Sequence, residues 1–76
     1  MPTYFFHVRG ERFDLPDLAG REFDGEAEAR EEAERMAAEM IETALLSGDP
    51  PPVATIEVDD EAQRPLLALP LSPKRF

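Results

Sequence analysis

Residues 25–47, GEAEAREEAERMAAEMIETALLS, have the periodicity of an amphipathic helix and decide the fold. At about 100° per residue, small and apolar side chains gather on one stripe about 140° wide. The stripe consists of Ala29, Ala33, Met36, Ala37, Met40, Ile41 and Ala44. Asp24 is predicted to cap this helix, and Gly48 is predicted to end it before a run of three prolines. Because the stripe is mostly alanine, the helix axis can approach a flat surface closely, which favours packing on a β-sheet.

The segments on either side of this helix alternate between opposite faces, as strands do. Residues 3–9 predict a first strand, and residues 13–15 predict a short second strand that pairs back on it. Residues 53–58 predict a third strand and residues 66–71 a fourth, whose neighbouring prolines place it at a sheet edge. The sequence therefore predicts one hairpin before the helix and another after it.

The order strand–strand–helix–strand–strand predicts a single α+β domain over residues 3–71. We expect two layers in a ββαββ arrangement, with one helix packed on a four-stranded, mainly antiparallel sheet and a frayed tail at residues 72–76. The strand residues predicted to face the helix are Tyr4, Phe6, Val8, Ile56, Val58, Leu67 and Leu69. They should meet Ala33, Met36, Ala37 and Met40 in the core.

Composition restricts the classes of function. The 76-residue chain carries 17 Asp and Glu against 8 Lys and Arg, and its net charge of -9 disfavours binding to DNA or RNA. It contains no cysteine, so disulfides and thiolate metal sites are excluded. No apolar run approaches the roughly 20 residues of a membrane span, and the N-terminus lacks the features of a secretion signal. We therefore expect a cytoplasmic protein that contacts neither nucleic acid nor membrane.

Residues able to support catalysis are few. His7 is the one histidine, and a single nitrogen ligand without cysteine falls short of a typical zinc site. The acidic run 59–61 lacks the alternating ligands and the glycine of a calcium loop. The four glycines are isolated from one another, so no phosphate-binding loop is predicted. The sequence thus predicts no metal, no cofactor and no catalytic residue, and it favours a non-enzymatic protein.

Residues 4–9, Tyr-Phe-Phe-His-Val-Arg, resemble the first strand of a family of small bacterial proteins known only as a domain of unknown function. The similarity continues through an acidic, glycine-containing loop and an alanine-rich helix to a closing hairpin. The matching positions in the helix and hairpin are Ala29, Arg30, Glu32, Ala33, Arg35, Ala37, Ile56, Val58, Leu67, Leu69 and Pro70. The resemblance implies a ββαββ domain, and it implies no activity, cofactor or site residue.

We expect a protein–protein interaction or assembly module, because a two-layer domain leaves one face of its sheet uncovered. The predicted interaction face consists of Phe5, His7, Thr55, Leu66 and Ala68. Several of these side chains are apolar, which is typical of a binding surface. A second copy of the chain is the simplest partner, giving a homodimer that protonation of His7 in both copies would weaken.

One alternative is an acidic antitoxin or a nucleic-acid mimic that binds a basic protein. It would use the acidic face of the helix, which consists of Glu31, Glu32, Glu39 and Glu42. A charged helix face of this kind also occurs on proteins that merely need to stay soluble. The charge pattern therefore leaves both interpretations open.

A second alternative is an enzyme. Removal of Met1 would expose Pro2, and an N-terminal proline that leads into a strand is similar to the tautomerase superfamily, in which that proline is the catalytic base. The resemblance would assign Arg9 or Arg12 to hold an acidic substrate. Tautomerases run strand–helix–strand, however, whereas a hairpin intervenes in this chain.

Overall fold

The computed structural model describes residues 1–50 and 52–71 and confirms the α+β architecture. One helix packs on an antiparallel sheet in the predicted order, with an additional two-residue strand before the helix. The elements are β1 Thr3–Gly10, β2 Asp14–Leu15, β3 Arg21–Glu22, α1 Glu26–Leu46, β4 Ala54–Asp59 and β5 Pro65–Pro70. The tail predicted at residues 72–76 lies outside the described residues. Within the described part of the chain, no helix has the length and apolarity needed to cross a membrane.

Strand β1 lies inside the sheet. The main strand order is β2-β1-β4-β5, and every pairing is antiparallel. On one side β4 runs along most of β1, from Phe5 opposite Asp59 to Gly10 opposite Ala54. On its other side β1 pairs with β3 near its start and with β2 near its end. The central β1–β4 pair therefore joins the segment before the helix to the segment after it.

The core lies between the sheet and α1. Alternate residues of β1 and β4 are buried because strand side chains point to opposite faces in turn. The buried hydrophobic residues are Tyr4, Phe6, Val8, Ala29, Ala33, Ala37, Ala54, Ile56, Val58 and Leu71. Half-buried against them lie Met36, Met40, Leu67 and Leu69, so the predicted core is confirmed. The fully buried residues of α1 are all alanine, which lets the helix lie close to the sheet.

The two ends of α1 are capped differently. The predicted cap at Asp24 is wrong: the N-cap residue is Gly25, and no side chain caps the helix, because it begins one residue later than predicted. At the other end the prediction for Gly48 is confirmed. Its φ of +77° suits glycine, and the turn it makes lets Asp49 N–H donate to the Ala44 carbonyl at 2.9 Å.

A bulge at the start of β5 changes which of its residues face the helix. The pairing shifts between Val58 and Asp59, so that Val58 lies opposite Leu67 whereas Asp59 lies opposite Pro65. The extra residue is Leu66, which packs half-buried against the core. Leu66 therefore packs toward the core instead of facing away from the helix, because strict alternation does not anticipate a bulge.

Helix α1 extends beyond the sheet that it covers. Its 21 residues span about 31 Å, whereas the eight residues of β1 span about 27 Å and the six residues of β4 about 20 Å. The last buried residue of α1 is Ala37, and Leu46 at its end is 81% exposed. The final turns therefore present apolar side chains that the sheet does not cover.

Candidate functional site

A polar cluster on the open face of the sheet, the face away from α1, is centred on Asp17. Between its pairings with β2 and β3, β1 has no strand partner on that side. Asp17 occupies this gap, and its Oδ2 accepts the Phe6 N–H at 3.1 Å. Its Oδ1 accepts the N–H groups of Ala19 and Gly20 at 3.2 and 3.0 Å. One carboxylate thus takes the place of a strand and holds the loop at residues 16–20 against β1.

His7 extends this cluster across the sheet. Asp17 N–H donates to His7 Nδ1 at 2.9 Å, and His7 Nε2 lies 3.2 Å from Asp59 Oδ2. The neutral tautomer with its proton on Nε2 satisfies both contacts, because Nδ1 then accepts and Nε2 donates. A proton on Nδ1 would remove the acceptor for Asp17 N–H. Both ring nitrogens of His7 are therefore engaged, Nδ1 with the loop and Nε2 with the end of β4.

The Asp17 carboxylate contributes stability that depends on pH. Burial alone would raise its pKa, but backbone hydrogen bonds from Gly20, Phe6 and Ala19 outweigh burial and lower the pKa below its ordinary value of 3.8. Because the pKa is lower in the folded state than in the unfolded state, the contribution is complete above the unfolded value. It is lost as the pH falls through the folded value.

Asp17→Ala removes both acceptor oxygens and should lower the free energy of unfolding by about 2 kcal/mol near neutral pH. Asp17→Asn keeps one acceptor oxygen and should cost less. Urea denaturation near neutral pH and again below about pH 3 tests the role of the charge. As the pH falls, Asp17 is protonated in the unfolded chain before it is protonated in the folded chain, so the contribution of its charge to stability declines. The difference in free energy of unfolding between wild type and Asp17→Asn should therefore be smaller at the acidic pH. A difference of the same size at both pH values would contradict a role for the charge.

The interaction face predicted from the sequence is brought together in part. Phe5, His7 and Thr55 lie half-buried on the open face, and Ala68 is exposed there. The same face carries an ion pair, since Arg9 Nε lies 3.0 Å from Glu57 Oε1. The open face is therefore more polar than the alternation of apolar residues indicates.

The acidic face of α1 is partly neutralised by arginines. Glu32 accepts hydrogen bonds from Arg35, with 2.6 Å between Nη2 and Oε2, and from an arginine of β3. These bonds, that from Arg35 foremost, lower the pKa of Glu32 although its burial opposes the shift. Arg35 also donates to Glu39 at 2.7 Å. Among the described residues, Glu31 and Glu42 form no ion pair.

The exposed end of α1 lines a shallow depression of about 850 Å³ that is open to solvent, which we call the helix-end groove. Its apolar lining consists of Met36, Met40, Ala44, Leu46 and Pro52, and its acidic rim of Glu39, Glu42 and Asp49. Thr43 and Ser47 complete the lining, and within residues 1–50 and 52–71 no lysine or arginine joins it. The C-terminus of α1 adds negative potential through the helix dipole, with no basic residue in its last turn. The groove combines apolar surface with charge of one sign.

Sequence reasoning did not find the helix-end groove. It placed Met36 and Met40 in the core and Glu39 and Glu42 on a charged face, because periodicity assigns each residue to a side of the helix without saying where the sheet ends. The signal that would have found the groove is length, since the predicted helix is far longer than the predicted strands.

The structure keeps Pro2 apart from the arginines that the tautomerase resemblance assigned to it. Pro2 precedes β1, whereas Arg9 and Arg12 lie near or beyond its other end, about 23 Å away along the strand. The depression beside Pro2 is lined instead by Arg64, whose Nε lies 3.0 Å from Asp60 Oδ2. Its other charged residues are Glu26 and Glu61, so the depression disfavours an acidic substrate.

Comparison with known proteins identifies the family without an activity. A family model described as "Domain of unknown function (DUF6894)" matches residues 3–72, which span every element from β1 to β5. Neither the curated proteins nor the solved structures give a match. The described residues also contain no group of three or more His, Asp or Glu side chains placed to hold a metal ion.

Proposed function

Because the chain belongs to the DUF6894 family, whose description assigns no activity, we propose its function from geometry: it is a non-enzymatic protein-interaction module. The observation that carries this proposal is the helix-end groove. Its apolar lining is formed by flexible methionines and an exposed leucine, which adapt to the shape of a partner's side chain. Its ionisable lining groups are carboxylates, which give the groove a preference for positively charged groups.

The partner that fits this groove is a basic protein segment with an apolar anchor. The anchor would lie against Met36 and Met40, while lysine or arginine side chains reach Glu42 and Asp49 on the rim. A second copy of this chain is a poor occupant, because two acidic rims would face each other. Binding through the groove should weaken as salt is added, since rim charges are screened.

A partner that recognises charge alone, as a nucleic-acid mimic requires, is less well supported. Two of the four acids predicted for that role, Glu32 and Glu39, already accept hydrogen bonds from arginine. The other two acids, Glu31 and Glu42, form no ion pair within the described part of the chain, and they offer a sparse pattern on an exposed helix. The groove adds apolar contact to charge and is therefore the stronger candidate.

Charge reversal on the groove rim tests the proposal. The double variant Glu42→Lys/Asp49→Lys should weaken binding of the protein captured by wild type from a host lysate by about tenfold, the effect of about 1.4 kcal/mol. The matched control is Glu31→Lys/Glu34→Lys, which makes the same change in net charge on α1 but outside the groove. The control should retain the captured protein.

Direct contact is then measured by nuclear magnetic resonance on the labelled chain with the purified captured protein. Shift changes should concentrate at Met36, Met40 and Leu46. Equal losses of binding in both double variants would show unspecific attraction to negative charge. Shift changes confined to the open face of the sheet would also refute binding in the groove.

A further inference from the structure

The outer edge of β5 has a backbone pattern suited to pairing with another strand. Leu71 N–H donates to the Ala54 carbonyl at 2.8 Å, and Leu69 and Leu67 lie opposite Ile56 and Val58. In an antiparallel ladder, alternate residues bond to the neighbour and the residues between them point their N–H and C=O groups away. This alternation directs the backbone groups of Leu67 and Leu69 to β4 and those of Ala68 outward.

The same edge lacks the charges that normally protect exposed strands. Residues 65–73, PLLALPLSP, form a nine-residue run without charge in a chain of which 33% is charged. Exposed edges are commonly guarded by lysine, by inward-pointing charges, by bulges or by proline. In β5 the prolines and the bulge protect the ends, and within residues 1–50 and 52–71 no strand pairs with the outer side of residues 67–69.

We propose that β5 pairs with β5 of a second copy of this chain, about a two-fold axis at Ala68. In this register each Ala68 N–H donates to the Ala68 carbonyl of the other copy, and Leu67 comes opposite Leu69. Both leucines pack half-buried against the core, so the pairing covers apolar surface that the helix leaves open. Pro70 has no N–H to direct outward, so the pairing between the copies is centred on residues 67–69.

A second copy fits this edge better than a foreign strand because the segment is self-complementary. Reversing its direction about Ala68 places leucine on leucine and alanine on alanine, with no charge to compensate. The contact shares no residue with the lining of the helix-end groove. Because each chain carries a charge of -9, repulsion between the copies should make the dimer stronger as salt is added.

Sedimentation of the full chain from about 10 µM to about 1 mM tests the proposal. Wild type should form a dimer, with the Ala68 amide protected from hydrogen exchange only at the higher concentrations. Ala68→Pro removes the outward N–H without removing a bond to β4, and it should raise the dissociation constant at least about tenfold. If that variant misfolds, Ala68→Lys is the substitute. Its side chain lies beside Glu57 within each copy and places like charges opposite each other across the axis.

The matched control is Phe5→Gln, which makes the open face more polar without touching the edge. It should leave the dissociation constant unchanged. A wild type that stays monomeric at about 1 mM, or a folded Ala68→Pro variant that still dimerises, overturns the proposal. Loss of the dimer in Phe5→Gln alone overturns it too, since the contact would then lie on the open face.

Discussion

Replacing Phe6 with alanine should lower the free energy of unfolding by about 3–5 kcal/mol. Phe6 is 4% exposed and pairs edge-on with Phe23, their ring centroids 5.7 Å apart. The guanidinium carbon of Arg21 lies 5.6 Å from the centre of the Phe6 ring, so the variant also loses a cation–π contact. Removing the ring leaves a cavity between the sheet and α1 that alanine side chains are too short to fill.

A domain of this size has a total stability of about 4–11 kcal/mol, so the loss in Phe6→Ala removes between about a quarter of that stability and all of it. Circular dichroism during urea denaturation measures the loss. The control is Leu18→Ala, because Leu18 is 89% exposed and its removal should change the stability by less than about 0.5 kcal/mol. A Phe6→Ala variant that melts cooperatively with the stability of wild type would refute this core.

Gly20→Ala should destabilise the protein by about 2–4 kcal/mol, for two separable reasons. Gly20 has a φ of +73°, which a side chain disfavours. A Cβ added there would also lie 2.7 Å from Thr3 Cγ2 and 2.9 Å from Phe5 Cε2, closer than such carbons approach. The loop held by Asp17 would have to move away from β1 to make room.

Gly48→Ala separates the two causes. Gly48 has a φ of +77°, nearly that of Gly20, but an added Cβ there meets nothing within 4 Å. Its substitution should therefore cost only the backbone strain, about 1 kcal/mol. Chemical denaturation of both variants gives the difference, which measures the close approach of Gly20 to β1. Equal losses of stability in the two variants would mean that the loop moves away from β1 without a cost in free energy. Phe5 would then not be held by the loop.

The fold could be predicted from the sequence wherever side chains follow a period. The stripe on α1 and the alternation in β1 and β4 place the buried residues correctly, because burial of one face is what the period encodes. The two-residue strand β3 has too few residues to show a period. The order of strands in the sheet is also absent from any local pattern, since it depends on which distant segments pair.

The candidate site could not be predicted in the same way, because it depends on features that leave no periodic pattern in the sequence. Asp17 reads as an ordinary turn residue, and its role appears only when the gap between β2 and β3 is seen beside Phe6. Leu66 leaves the predicted face because of one bulge. The helix-end groove arises from a mismatch in length between α1 and the strands. These features arise from the way helices and strands pack together, and the identity of a single residue does not reveal them.

The central position of β1 has a consequence for how the chain reaches its folded state. Its long partner β4 begins about 50 residues later along the chain, so the loop between them must close before their hydrogen bonds form. Until then the aromatic run Tyr4-Phe5-Phe6 has no lasting cover, and unpaired strands of this kind associate readily with one another. During synthesis, β1 therefore emerges about 50 residues before its main partner β4. Aggregation through β1 is therefore a greater risk during synthesis than after folding.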